Sequence, residues 1–360
     1  MPILEVKGVM KYYGRRKVVD GVDFEVNVGE VVGLLGPNGA GKTTTFRMTT
    51  GQIAPYDGQV WFNGHDVTTL PMYLRARLGM GYLPQDPSVF RALTVEQNIL
   101  AVLELVPHCR SLGRRMTRAE RYQRTDEVLA QFGLNKVRKN SAARLSGGEK
   151  RRLEIARCLV CEPLLILLDE PFTGIDPKTI ADIQQIVLDL RRQGIGILVT
   201  DHNVREALKI TDRSYIIKDG KVQTQGTPQQ IVHDSIAITE YLGSSFSDNN
   251  IGPNNAAAPA AKPPEQVVHL VLEQEKIHRL IEKLKTPEGA EAASGLIEYG
   301  HEALPALVEA LARRDVEMRR LAFAVMQNIT DGAVFDPYAP EVQRRQQIAD
   351  LRDRFERKAG

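Results

Sequence analysis

The chemistry of this chain is most visible at residues 36–43, which fit the phosphate-binding pattern G-x-x-x-x-G-K-[ST] at every fixed position. Glycines in this pattern let backbone N–H groups point inward around phosphates, and the helix that follows adds positive potential. Lys42 would reach the outer phosphates, and the Thr43 hydroxyl would bind Mg²⁺. A chance match in a glycine-rich loop is the alternative.

Two carboxylates, Asp169 and Glu170, close the unbroken apolar run 164–168. Such a run suits a central parallel strand buried on both faces, and open α/β sheets bind ligands at the carboxyl ends of such strands. Asp169 would hold Mg²⁺ directly or through water. Glu170 could polarise a water for attack on a terminal phosphate.

Gln85 and His202 follow two further predicted strands, 79–84 and 196–200. A strand-end amide can bind a metal or position a water, although loop glutamines are more often simply solvated. A lone strand-end histidine is usually structural. Because several predicted strand ends meet at one edge of the sheet, we expect His202 to contact a phosphate.

The predicted strands and helices around these residues also indicate a phosphate-binding site. Residues 30–35 predict a buried strand before the phosphate loop, and a helix opens after it near Thr44. Ser146 is a plausible N-cap for a second helix, with Gly147 and Gly148 behind it, and its N-terminus could also hold an anion. An ordinary capped helix is the alternative there.

Composition sets broad limits on the function. The 360 residues contain 47 Lys and Arg against 45 Asp and Glu, so bulk charge indicates no nucleic-acid partner. We expect no signal peptide at the N-terminus, and no apolar run approaches the roughly 20 residues that span a bilayer.

Cys158 and Cys161 lie in an apolar helical pattern and are expected to pack in the core of a cytoplasmic protein.

A change in composition predicts three regions: a catalytic domain over residues 1–246, a disordered linker over 247–266 and a helical extension over 267–360. Residues 300–311 weakly resemble a HEAT-type helical repeat. The extension could bind an additional protein, or it could pack on the catalytic domain or pair with its own copy.

The ordered motifs together resemble the ATP-binding-cassette (ABC) ATPase family over about residues 3–246. The matching positions are Tyr13 for the adenine-stacking aromatic, residues 36–43 for the Walker A loop, Gln85 for the Q-loop, residues 145–149 for the signature, Asp169 and Glu170 for the Walker B aspartate and catalytic glutamate, Asp176 for the D-loop and His202 for the switch histidine. No catalytic position departs from the pattern, so the resemblance implies active hydrolysis.

The resemblance also implies a fold class and a ligand set. The fold is α/β: a P-loop NTPase ABC cassette with a mixed sheet core, an antiparallel β subdomain and a helical signature subdomain, followed by a small all-α domain. Mg²⁺ would be held by Thr43, Gln85 and Asp169. ATP would be held by Tyr13, Gly36, Pro37, Asn38, Gly39, Ala40, Gly41, Lys42, Thr43 and Thr44 of one chain and by Ser146, Gly147, Gly148 and Asp176 of a second copy in a head-to-tail dimer.

Within the family, residues 82–95, 169–172, 200–206 and 241–243 resemble the lipopolysaccharide-export ATPases of the Lpt system. In those proteins a groove after the Q-loop receives a coupling helix from integral membrane subunits, and Phe90 and Arg91 match groove positions. A core position for Phe90 is the alternative. The resemblance implies a location on the cytoplasmic face of the inner membrane. Rival interpretations are the ATPase of a branched-chain amino-acid importer and a soluble ABC protein acting on ribosomes or DNA.

Overall fold

The computed structural model describes residues 2–106, 109–239, 265–313, 315–330 and 333–356. The chain divides into two compact units, Met1–Pro263 and Pro264–Gly360. The predicted boundary at residue 246 and residues 247–264 of the predicted linker lie outside the described residues.

The first unit contains two sheets. The strands of the antiparallel sheet are β1 (Pro2–Tyr13), β2 (Arg16–Asn27), β4 (Asp57–Phe62) and β5 (His65–Asp66), in the order β2-β1-β4-β5. The strands of the six-stranded sheet are β3 (Val31–Leu35), β6 (Met80–Leu83), β7 (Leu165–Asp169), β8 (Gly196–Thr200), β9 (Arg213–Lys218) and β10 (Lys221–Gly226), in the order β10-β9-β3-β8-β7-β6. Only the β9–β10 pair in this sheet is antiparallel. The predicted mixed sheet core and antiparallel subdomain are therefore confirmed.

Strands β3, β7 and β8 are buried at every position, which explains why the sequence shows them as uninterrupted apolar runs. Because these strands are parallel, the residues after their carboxyl ends lie along one edge of the sheet. The phosphate loop follows β3, the two carboxylates end β7, and His202 follows β8.

The helices of the first unit cover the six-stranded sheet and build a helical subdomain. They are α1 (Lys42–Thr50), α2 (Met72–Leu78), α3 (Val95–Leu105), α4 (Arg118–Gln131), α5 (Gly147–Leu159), α6 (Pro177–Arg192), α7 (Val204–Leu208), α8 (Pro228–His233) and α9 (Ser235–Ala237). Helices α3, α4 and α5 share buried side chains such as Ile99, Leu129 and Leu153. The predicted helical signature subdomain is thus confirmed.

The end of α1, the helix of the phosphate loop, is held by the fully buried Arg75 of α2. Its guanidinium donates to the carbonyls of Met48 and Thr49, at 2.8 and 2.6 Å, and also to those of Leu70 and Thr68. The bonds to Met48 and Thr49 satisfy carbonyls in the last turn of α1, whose i+4 amide partners lie beyond the helix. Burial lowers the pKa of Arg75 to about 10.

Cys158 and Cys161 lie at the end of α5 as free thiols, and Cys158 packs against Gly81 of β6. Burial raises the pKa of Cys158 far above its usual value and that of Cys161 to about 11. Neither group forms a thiolate readily, which agrees with the predicted packing role.

The second unit is helical, as predicted. Its helices are α10 (Glu265–Lys283), α11 (Gly289–Tyr299), α12 (Leu304–Leu311), α13 (Val316–Ile329) and α14 (Glu341–Glu356). They share a core that includes Ile281, Leu296, Leu307 and Met326. Since α10 begins at Glu265, the last two positions assigned to the linker are helical. Across both units, none of the described helices is long and apolar enough to span a membrane.

Candidate functional site

The phosphate loop runs from the end of β3 to the start of α1 and lies tightly against the neighbouring backbone. Gly36 has φ 151°, and a Cβ atom there would lie 2.0 Å from the Ile217 carbonyl oxygen. Gly41 has φ 105°, and a Cβ atom there would lie 2.7 Å from the Val18 carbonyl oxygen. Both positions therefore need glycine for space as well as for conformation.

Lys42 is buried inside this loop, with 6% of its surface exposed. Its Nζ donates to the carbonyls of Gly36 and Pro37 at 2.7 and 2.9 Å. Burial lowers the pKa of Lys42, while the nearby carboxylates of Glu170 and Asp169 act in the opposite direction. The ammonium thus lies between the loop and the acidic strand ends, where it can exchange a carbonyl for a phosphate oxygen.

The first turn of α1 presents its hydroxyls differently. Thr43 is exposed and Thr44 is half-buried, whereas Thr45 is buried and donates to the Gly41 carbonyl at 3.0 Å. The Thr43 hydroxyl is therefore the accessible one at the N-terminus of α1. This placement fits the role that the sequence assigns to it.

Asp169, at the end of β7, is a buried carboxylate with 6% of its surface exposed. The Tyr82 hydroxyl donates to its Oδ2 at 3.3 Å. Burial raises the pKa of Asp169, although this hydrogen bond counteracts the shift. A nearby cation would stabilise the ionised form.

The donor set fits Mg²⁺. One carboxylate, the Thr43 hydroxyl and the Gln85 amide are oxygen ligands, and Mg²⁺ is usually held by one or two carboxylates together with substrate phosphates. Among the residues that the structure describes, no group of three or more His, Cys, Asp or Glu side chains could hold a metal ion without such help.

Glu170 is the centre of a hydrogen-bonded cluster. Its Oε2 accepts from Gln85 Nε2 at 2.9 Å and from Thr173 Oγ1 at 3.2 Å, and it lies 3.3 Å from His202 Nδ1. The structure thus brings the predicted catalytic residues Gln85, Glu170 and His202 together. Thr173 also belongs to the cluster, but no sequence motif indicated it.

Asp201 is a second residue that the sequence did not assign to the site. Its side chain is wholly buried, and it accepts the N–H of Phe172 at 2.9 Å and the N–H of Asn203 at 2.8 Å. The bond from Phe172 joins the loop that follows β7 to the loop that follows β8, whereas the bond from Asn203 lies within the latter loop. Burial raises the pKa of Asp201, against the effect of the two backbone donors.

The signature residues form a separate cluster at the N-terminus of α5. Ser146 caps this helix in a reciprocal arrangement with Glu149, and Gly147 is exposed. A Cβ atom at Gly148 would lie 2.9 Å from Thr179 Oγ1, which itself donates to Asp176 Oδ2 at 2.6 Å. The signature and the predicted D-loop residue therefore meet at Thr179.

No hydrogen bond or ion pair within the described part of the chain joins this signature cluster to the phosphate loop. Ser146 and Gly148 instead line a cavity together with Arg152, Lys178, Thr179 and Asp182. Arg152 lies 3.5 Å from the Asp182 carboxylate, so Lys178 and the exposed helix N-terminus are the groups that suit this surface to an anion.

Two tyrosines end β1, the predicted adenine-stacking residue Tyr13 and its neighbour Tyr12, and they have different surroundings. The Tyr12 ring packs edge-on against Tyr56, with ring centroids 5.0 Å apart, and Lys17 Nζ lies 5.4 Å from its centroid. Tyr13 is 50% exposed. Tyr13 is therefore the ring that is available for stacking.

The segment after Gln85 presents Phe90, which is 40% exposed and so is not a core residue, and Arg91, which is exposed. The Arg157 guanidinium lies 4.2 Å from the Phe90 ring centroid. Asn98 accepts the Phe90 N–H at 2.9 Å and donates to its carbonyl at 3.1 Å. An ordered, exposed aromatic ring of this kind suits a contact with a partner.

Helix α5 holds the same segment through one of its faces. Arg151 donates to the Pro84 carbonyl at 3.2 Å, Glu154 accepts the Ser88 N–H, and Arg157 donates to the Ser88 carbonyl at 2.7 Å. The helix that begins at the signature is therefore attached to the segment that follows Gln85.

The comparisons with known proteins agree with this geometry. Residues 19–173 match the family model described as ABC transporter. The chain is 50% identical over 244 residues to the lipopolysaccharide export system ATP-binding protein LptB of Acidithiobacillus ferridurans, covering 68% of this chain and 98% of the relative. It is 44% identical over 246 residues to the LptB of Escherichia coli K12, covering 68% of this chain and 99% of the relative.

A solved structure described as a dimeric ATP-binding cassette in a post-hydrolysis state, bound to ADP and Pi, is also similar. Its TM-score is 0.55 at 26% identity, and the match covers 62% of this chain and 98% of the solved chain.

We predict that Asp201→Ala lowers the free energy of unfolding of the first unit by about 2–4 kcal/mol, because the buried Phe172 N–H and the partly buried Asn203 N–H lose their acceptor. Urea denaturation followed by Trp61 fluorescence measures this unit, since Trp61 in β4 is the only tryptophan of the chain. Asp189→Ala on the exposed face of α6 is the matched control and should change stability by no more than about 0.5 kcal/mol. Equal stabilities of the two variants would contradict the role of Asp201.

Proposed function

Because this chain belongs to the family of ABC transporter ATP-binding proteins, we propose that it is the ATPase subunit of a transporter that exports lipopolysaccharide or a related lipid from the inner membrane. The observation that carries the ATPase assignment is the convergence of Lys42, Asp169, Glu170, Gln85 and His202 at one edge of the six-stranded sheet. The match spans nearly the whole length of the lipopolysaccharide-export relatives, which supports lipopolysaccharide as the transported substrate. It also favours export over branched-chain amino-acid import or a soluble role.

Each residue of the site has a separate task in the proposed reaction. The loop amides and Lys42 bind the phosphates, and Tyr13 stacks on adenine. Thr43, Asp169 and Gln85 would hold Mg²⁺, which supplies charge neutralisation for the phosphates when bound. Glu170 orients the attacking water and accepts its proton, and His202 contacts the terminal phosphate.

The site is completed by a second copy of the chain. The negative charge of a triphosphate is larger than the positive charge that Lys42 and the N-terminus of α1 supply together. The signature surface offers a further helix N-terminus that can neutralise the remainder. We propose that Ser146, Gly147 and Gly148 of the second copy close over the nucleotide, with Asp176 beside them. Closure excludes water, which strengthens every electrostatic contact within the site.

Glu170→Gln should bind ATP and remain as an ATP-bound dimer, because the amide retains the hydrogen bonds of the side chain but cannot accept a proton. We expect kcat to fall at least about 100-fold. Size-exclusion chromatography with ATP and Mg²⁺ measures the dimer, and phosphate release measures turnover. Glu127→Gln, on the exposed face of α4, controls for loss of a carboxylate outside the cluster and the signature. Normal turnover of Glu170→Gln would overturn the assignment of Glu170.

The groove around Phe90 and Arg91 is the proposed contact for integral membrane subunits, which would place the protein on the cytoplasmic face of the inner membrane. The exposure of both side chains supports this proposal, and so does the attachment of their segment to α5. Movement of α5 on dimer closure would then reach the groove through Arg157.

Depletion of this chain in its source bacterium should reduce the lipopolysaccharide in the outer membrane, and re-expression of the wild type should restore it. Phe90→Ala should fail to restore it while the purified variant retains ATPase activity within about twofold, since Phe90 lies outside the catalytic cluster. Tyr122→Ala replaces an equally exposed aromatic ring, 40% exposed on α4, and should behave as the wild type. Loss of branched-chain amino-acid uptake with intact lipopolysaccharide export would favour the importer instead.

The second unit has no counterpart in the relatives named above, and 32% of the chain lies beyond their coverage. We propose that this unit binds an additional protein. Its own buried core supports an independent module, and the weak resemblance of residues 300–311 to a helical repeat supports a binding role, since helical repeats commonly bind partners.

A chain truncated after residue 263 should retain its ATPase activity and its ATP-dependent dimer within about twofold, because relatives of cassette length lack the second unit. It should lose a protein that co-purifies with the full chain under mild cross-linking, as identified by mass spectrometry. Loss of the ATP-dependent dimer on truncation would instead indicate that the second unit pairs with its own copy.

A further inference from the structure

Thr173 lies between the two groups that the proposed reaction requires. Its Oγ1 is 3.2 Å from Glu170 Oε2 and 3.2 Å from His202 Nδ1. We propose that Thr173 is a positioning residue whose hydroxyl holds the Glu170 carboxylate and the His202 imidazole as one unit. This inference rests on the proposed ATPase function.

The chemistry of the three groups fixes the direction of the hydrogen bonds. A hydroxyl has one proton to donate, and an ionised carboxylate can only accept. Thr173 Oγ1 therefore donates to Glu170 Oε2 and accepts from Nδ1–H of His202. The network therefore assigns a proton to Nδ1 of His202.

The bonds to Glu170 all involve one of its two oxygens. Oε2 receives Gln85 Nε2 at 2.9 Å and Thr173 Oγ1 at 3.2 Å, and His202 Nδ1 lies 3.3 Å away. In the described part of the chain, Oε1 has no hydrogen bond. The arrangement anchors Oε2 and leaves Oε1 as the oxygen that can accept a proton from water.

The backbone fixes the place of Thr173. The turn from Glu170 to Thr173 is closed by a bond from the Thr173 N–H to the Glu170 carbonyl at 3.4 Å, and Glu170 has φ 48°. Phe172 within the turn donates its N–H to the buried Asp201. A left-handed conformation at a residue other than glycine is held only when its surroundings determine it. The Thr173 hydroxyl is therefore presented by an ordered turn.

Steady-state ATP hydrolysis by the full chain tests the proposal. Thr173→Val keeps the shape of the side chain and removes the hydroxyl, and we expect kcat to fall about tenfold with KM for ATP unchanged within about twofold. Thr173→Ser restores the hydroxyl and should keep kcat within about threefold of the wild type. Trp61 fluorescence during urea denaturation verifies that each variant is folded.

A double-mutant cycle with His202→Ala separates positioning from general destabilisation. If Thr173 acts by coupling the His202 imidazole to the Glu170 carboxylate, then Thr173→Val should lower the single-turnover rate by less than about twofold in the His202→Ala background. A full tenfold loss in that background would overturn the proposal. So would wild-type kcat in Thr173→Val, or a Ser variant as slow as the Val variant.

The failure of this inference is distinguishable from failure of the proposed function. A wild-type chain that does not hydrolyse ATP, or a fully active Glu170→Gln variant, would reject the ATPase assignment itself. An inactive Glu170→Gln together with a fully active Thr173→Val would reject only the role of Thr173.

Discussion

The catalytic cluster depends on the buried carboxylate of Asp201. Parallel strands β7 and β8 bring Asp169 opposite Thr200, and the Glu170 N–H continues this pairing by donating to the Thr200 carbonyl at 2.8 Å. Beyond that point the two loops leave the sheet, and Asp201, at the start of the second loop, joins them by accepting the Phe172 N–H from the first. The distance between the Glu170 carboxylate and the His202 ring follows from this join.

The charges of the site are unbalanced in the protein alone. Burial raises the pKa values of Asp169 and Asp201 and lowers that of Lys42, so each charged form is less favourable than it is in water. Three carboxylates, including Glu170, face one ammonium group. A divalent cation would stabilise the carboxylates, and the phosphates would in turn stabilise the cation, Lys42 and the N-terminus of α1. The electrostatics therefore favour binding of nucleotide and Mg²⁺ together.

Much of this arrangement is predictable from the sequence because its signals are local. Fully buried strands appear as apolar runs, and the loop that needs glycine at Gly36 and Gly41 carries its own pattern. The roles of Asp201 and Thr173 are not predictable in this way, since each contacts a residue 29 positions away and depends on the pairing of β7 with β8. The contact of Tyr12 with Tyr56, which leaves Tyr13 as the available ring, was likewise not predictable. The first two residues of α10, Glu265 and Gln266, are polar like the predicted linker that precedes them.

The signature and the groove are connected by one rigid element. Helix α5 begins at Gly147 behind its cap Ser146, and Arg151 and Glu154 on its next turns form an ion pair at 3.1 Å with side chains only 8% and 3% exposed. Breaking a buried pair of this kind is costly because it leaves an uncompensated charge, so the two residues move together with the helix. Both also bind the backbone between Pro84 and Ser88, which follows Gln85 and leads to Phe90. Gln85 in turn donates to Glu170. If a second copy displaces α5, the segment from Pro84 to Phe90 moves with it, and this movement changes the position of both the groove and the catalytic carboxylate.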